Sequence, residues 1–142
     1  MPDDPFDLQR FVDAQARVIG AVRAELARGA KQSHWMWFVF PQISGLGFST
    51  MAQRYAIGSL DEAKAFVAHR VLGPRLKECT SLVLAVRDRT VHAIFGSPDD
   101  LKFHSSMTLF ARAAPDVAQF RAALDTCFAG EEDAATLAKL GC

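Results

Sequence analysis

Lys31, His34, Trp35, Trp37 and Gln42 crowd into one short stretch, and the loop Gly45-Leu46-Gly47 follows directly. Indole rings stack on planar ligands, a lysine or histidine cation meets an anionic group, and a glutamine carboxamide reads an amide or base edge. Glycines beside them expose backbone N–H groups, so this segment has the makings of a pocket wall. The same residues admit a plainer role, with both tryptophans in the core and Gln42 tying down the turn after Pro41. On a helix Trp35 and Trp37 stand roughly 200° apart, so one can line a pocket while the other packs inside.

A second set lies more than fifty residues downstream: Asp99, Asp100, Lys102, His104, Ser105, Ser106 and Thr108. A helix that opens here exposes unpaired N–H groups, which attract phosphate or carboxylate. Lys102, Ser105 and Ser106 fall on one helical face and would add a charge and two hydroxyl donors. Against an anion stand the two aspartates at the same end, whose ordinary role is capping. Each set mixes apolar and short polar residues, and buried polar groups need partners, so the two are expected to meet in space.

Other chemistries find little support. His34, His69, His92 and His104 form no His-x-x-x-His pair and no carboxylate motif joins them, so neither metal nor cofactor is expected. No Ser or Cys sits in a nucleophile-elbow context, and Cys79-Thr80 lacks an identifiable base. The Gly45–Gly47 loop is no dinucleotide fingerprint, because the strand-to-helix unit and full glycine spacing are missing. Glu78 and Asp88 read as solvated helix-surface carboxylates.

The elements that must position these residues are helices. The chain has 142 residues, half of them apolar, which suits one domain over 1–142 with one core. Sixteen basic and sixteen acidic residues balance and intersperse, which argues against a general nucleic-acid binder. No apolar run reaches membrane-span length and the start is acidic, so neither a span nor a signal peptide is expected. Cys79, Cys127 and Cys142 are odd in number and lack metal-ligand spacing, as suits reduced thiols in a cytoplasmic protein.

Asp4 before Pro5 predicts a helix start, with Leu8, Phe11, Val12, Ile19, Val22 and Leu26 on one face and Gly29 as its stop. A short buried helix over 34–40 ends at Pro41, and another from Ser49 or Thr50 runs to about Ile57. Ser59 and Glu62 form a capping box for a helix to about Arg70. Further helices open at Gly73-Pro74, near residue 90, at Asp99 or Asp100, at Pro115 and at Asp133. The prediction is an all-α bundle of six to nine helices. Phe11, Val22, Phe38, Leu76, Leu82, Phe110, Phe120 and Leu124 are expected in its core.

Trp-Met-Trp-Phe-Val-Phe-Pro-Gln at 35–42, then Gly-Leu-Gly and Ser-Thr-Met, resemble the signature of a bacterial family known as domain of unknown function eighteen-ten. Ile-Phe-Gly-Ser-Pro-Asp-Asp-Leu-Lys at 94–102 and Ser-Ser-Met-Thr-Leu-Phe at 105–110 are similar to its second signature. Leu72-Gly73-Pro74-Arg75-Leu76 with Glu78-Cys79, and Thr136-Leu137, fit as well, so the resemblance spans nearly the whole chain. It implies one mainly helical domain and no particular activity. Members sometimes carry the label calpastatin-like; calpastatin is a disordered inhibitor, and a chain this apolar and patterned is not one.

Two functions are open on these residues. One is a small-molecule-binding domain, enzyme or not, whose pocket for an anionic or nucleotide-like ligand joins the aromatic–glycine loop to the Lys102–Ser106 helix start. The other is a protein-interaction module with an exposed groove and no ligand. Lys, Gln, Ser and Thr at both signatures favour the first, since a greasy docking groove does not require them. A purely structural domain is the third possibility, and no partner protein is identifiable.

Overall fold

Residues 3–142 are described in a computed structural model, and they form ten helices joined by short loops. These are α1 (Gln9–Ala16), α2 (Ile19–Arg28), α3 (Met36–Val39), α4 (Thr50–Arg54), α5 (Leu60–Ala68), α6 (Leu72–Ala85), α7 (Val91–Phe95), α8 (Asp99–Ala113), α9 (Ala118–Phe128) and α10 (Ala134–Leu140). The described residues contain no strand, only an isolated bridge between Ile43 and Ile57.

Side-chain caps fix many of these starts. Ser49, Ser59, Thr90 and Asp133 each accept the backbone N–H three residues on, opening α4, α5, α7 and α10. The Ser59–Glu62 box closes in a variant form: Glu62 reaches back to the Gly58 N–H, at 2.9 Å, and gives its other oxygen to Arg10. Asp4 does cap, but later than expected. Its carboxylate takes the N–H groups of Leu8 and Gln9, so α1 begins at Gln9 and not at Pro5.

The first helix is also two. The chain breaks at Arg17–Val18, and this split carries the count to ten, past the expected six to nine. The reason is tertiary. α1 packs on α3, where Gln15 donates to the Phe38 carbonyl at 2.7 Å, while α2 packs on α6. A straight helix could not serve both neighbours. Gly29 stops α2 in the left-handed region, with φ of 70°.

α8 is the central element and packs against α5, α7, α9 and α10. Its Phe103 meets Phe40 edge-to-face at 4.9 Å, and Phe110 lies between Phe66 and Phe120. Of the expected core residues, all are buried except Leu82, which is half-exposed at the edge of α6. Leu101, apolar in type, points outward from α8 and is 63% exposed. Among the described residues no helix is long and apolar enough to cross a membrane.

Candidate functional site

The aromatic segment is held by a carboxylate that lies on the apolar face of α2. Glu25 accepts the backbone N–H groups of Gln32 and Ser33, the Ser33 hydroxyl, and the Trp35 indole N–H at 3.0 Å. Burial on its own raises the Glu25 pKa, but these donors outweigh it and hold the group down at about 2. The result is a fixed turn that drives Trp35 fully into the core. Lys31 is consumed in the same knot. Its ammonium lies 5.0 Å from the Trp35 ring, donates to the Ser33 carbonyl and pairs with Asp99 at 2.8 Å.

Trp37 then emerges on the opposite side of α3, half-buried. There the second signature comes to meet it. The Lys102 ammonium stands 5.5 Å from the centre of the Trp37 ring. Its partner is the same Asp99, at 3.7 Å, beyond normal hydrogen-bond reach. Asp99, expected as a helix cap, instead links the two lysines.

The loop after Pro41 closes the third side. Gln42 and Ser44 share the bridge to Ile57 through their backbones. Gly45 has φ of +96°, with the Lys139 side chain lying against it, and a Cβ on Gly47 would come within 2.7 Å of that of Ala52. Both glycines therefore do turn and packing work that no larger residue could do in place. The enclosed space is a cleft of about 120 Å³ lined by Met36, Trp37, Phe40, Gln42, Ile43, Gly45, Gly47, Tyr55 and Lys102. Beside it lies a wider cleft of about 350 Å³, bordered by Leu46, Pro98, Leu101, His104, Ser105 and Asp133. Gln42, Gly47 and Lys102 border both. The Gln42 side-chain amide makes no hydrogen bond among the described residues.

Other candidates take structural duty. Ser105 donates to Asp133 at 2.9 Å, and Thr108 accepts the Asp133 N–H, so these hydroxyls dock the start of α10 onto α8. Ser106 is sealed in the core, and its hydroxyl has no partner among the described residues. His34 is exposed and away from both clefts. His104 stacks on Phe128, and its Nε2 must carry the proton it donates to the Glu131 carbonyl at 2.7 Å. The start of α8 also offers few donors to an anion. The N–H groups of Asp100, Leu101 and Lys102 already bond to the Gly96 and Pro98 carbonyls, and Asp100 adds its own oxygen to Leu101. Among the described residues no cluster of His, Cys, Asp and Glu is placed to hold a metal ion.

Glu25 and Tyr55 were not singled out from sequence, and Asp133 was read only as the cap of the last helix, not as a partner of Ser105. Only Glu25 left a usable signal, since it shares a helix face with Val22 and Leu26, where a charged residue must find partners.

A solved structure, that of the conserved hypothetical protein Rv1873 from Mycobacterium tuberculosis, is similar over 98% of this chain and 99% of its own, with 56% identity and a TM-score of 0.96. No curated protein matches the chain. The family model described as protein of unknown function DUF1810 matches residues 5–140, and to that family the chain belongs.

Proposed function

We propose that the domain binds a small anionic ligand in the paired clefts, with Trp37 as the aromatic wall, Lys102 as the charge and Gln42 as the hydrogen-bonding reader. The observation that supports this best is the unused hydrogen-bonding capacity of Lys102 and Gln42. Both are half-buried, both border the two clefts, and neither side chain is hydrogen-bonded to another described residue. Polar groups left so at a concave apolar wall are what a ligand completes. A thermal-shift screen with nucleotides, sugar phosphates and carboxylates tests the reading. A ligand at a hundred times its dissociation constant adds about 2.7 kcal/mol and raises Tm by several degrees. A screen with no shift in any class counts against it.

A second reading, a protein-interaction module, draws on two residues. Phe48 is 81% exposed and Leu101 63% exposed, and Leu101 borders the wider cleft. Replacing both with serine separates the readings. Small-molecule stabilisation survives that change if the clefts are the site, whereas a docking surface loses its anchors.

A further inference from the structure

We infer that the ligand class, granted the binding reading above, is a single-ring aromatic or heteroaromatic monocarboxylate, and not a nucleotide or sugar phosphate. Size comes first. The inner cleft holds about 120 Å³, close to the ~150 Å³ cavity that accepts benzene in another protein. Met36, Trp37, Phe40 and Tyr55 supply its apolar walls, with the exposed Ser44 and Gln53 also lining it, so it takes one small ring and has no room for a base with its ribose.

Charge points the same way. Among the described residues Lys102 is the only Lys or Arg that lines either cleft; Lys139 packs against Gly45 but lines a separate cleft with Ile43 and Ser44. Together with Lys31, Lys102 shares one aspartate, Asp99, so the group carries a single net positive charge. A phosphate monoester brings close to two negative charges at neutral pH and is best held by arginine forks or free helix N–H groups. Among the described residues no arginine lines either cleft, and the N–H groups of Asp100, Leu101 and Lys102 at the start of α8 are already bonded. The wider cleft repels a second anionic group, because the Asp133 carboxylate borders it. One carboxylate matches what is left: one oxygen accepts from the Lys102 ammonium, the other from the Gln42 amide, and the ring enters the inner cleft.

The test uses the full chain and a defined panel: benzoate and furoate, the neutral isostere benzamide, inorganic phosphate, AMP and ADP. Binding is read by calorimetry and by the NMR signal of the Trp37 indole N–H, assigned with Trp37→Phe. The expected result is that the carboxylates bind and move that signal, while benzamide and the phosphates bind at least about tenfold more weakly. Lys102→Met should weaken the carboxylates by about tenfold or more, as loss of a charge-assisted hydrogen bond does. Its NMR spectrum shows whether the variant stays folded, and Gln42→Leu gives an independent second variant. AMP or phosphate binding at Lys102 in preference to the carboxylates overturns this inference and leaves the proposed binding function standing. Silence of the Trp37 signal to every probe at millimolar concentration overturns both.

Discussion

Asp99 stands between two lysine–tryptophan pairs that share residue types and differ in everything else. On one side Lys31 lies over Trp35, with its side chain only 7% exposed, a carbonyl acceptor at 2.6 Å and the aspartate at 2.8 Å. Glu25 completes that side by taking the indole N–H. On the other, Lys102 lies beside Trp37 with 26% exposure and no acceptor among the described residues within hydrogen-bond distance. The first pair is closed: each polar group has its partner, and removing one leaves another stranded in the core. The second is open, with its cation and ring facing a cleft. Polar residues near a tryptophan do not by themselves mark a site. Whether their hydrogen-bonding capacity is already used decides between scaffold and recognition.

The tryptophans give the largest test of this contrast. Trp35→Ala should cost about 3–5 kcal/mol, since it empties a fully buried volume and strands Glu25. Trp37→Ala should cost about 1 kcal/mol, because its ring is already partly in the cleft. Urea midpoints at unchanged slope measure both. Equal losses would erase the distinction between the pairs.

Next in size is the acid limb of stability. The Glu25 pKa, ordinarily 4.5, is held at about 2 in the fold. A folded-state pKa below the unfolded one means the contribution is complete above about pH 4.5 and is lost as pH falls toward 2. A depression of this size corresponds to roughly 3 kcal/mol. Glu25→Gln should be less stable than the parent at neutral pH, and the gap should narrow steadily through that window. A gap constant with pH would show that the carboxylate charge is not what holds the turn.

The lysines come third. Lys31→Met should cost about 1–3 kcal/mol, as it removes the close partner of a mostly buried aspartate. Lys102→Met should stay within about 1 kcal/mol of the parent. Thermal melts of the two variants side by side check the order. A reversed order would put the scaffold on the Lys102 side.

Much of this was legible in the residues. The side-chain caps at Ser49, Ser59 and Asp133 are local chemistry, visible in any window of four residues, and they placed three helix starts, whereas the Thr90 cap was not read. The convergence of the two signatures was expected from their shared polar content, and Trp37 and Lys102 do lie together. The break at Arg17–Val18 was not legible, because it answers to partners far along the chain, α3 and α6. Neither was the use to which each polar group is put. Lys31 and Lys102 look alike in sequence, as do Ser105 and Ser106, and only packing shows which of each pair is spent.

The serines supply the smallest and most pointed test. Ser105 and Ser106 are neighbours on α8 and both are buried, yet Ser105 bonds to Asp133 while the Ser106 hydroxyl has no partner among the described residues. A buried unpaired hydroxyl is a net cost, of order 1–3 kcal/mol, because it gave up water for nothing. Ser106→Ala removes that cost and loses only one small atom from a close-packed wall, so the expected change is between zero and about +1 kcal/mol of stability. Ser105→Ala should go the other way, by about 1 kcal/mol, since it loosens the cap of α10. Opposite signs at adjacent serines would establish that satisfaction of the polar groups sets their role here, as proposed for the lysine–tryptophan pairs. A loss at Ser106 comparable to that at Ser105 would mean its hydroxyl bonds to something, and buried water would be the first partner to seek.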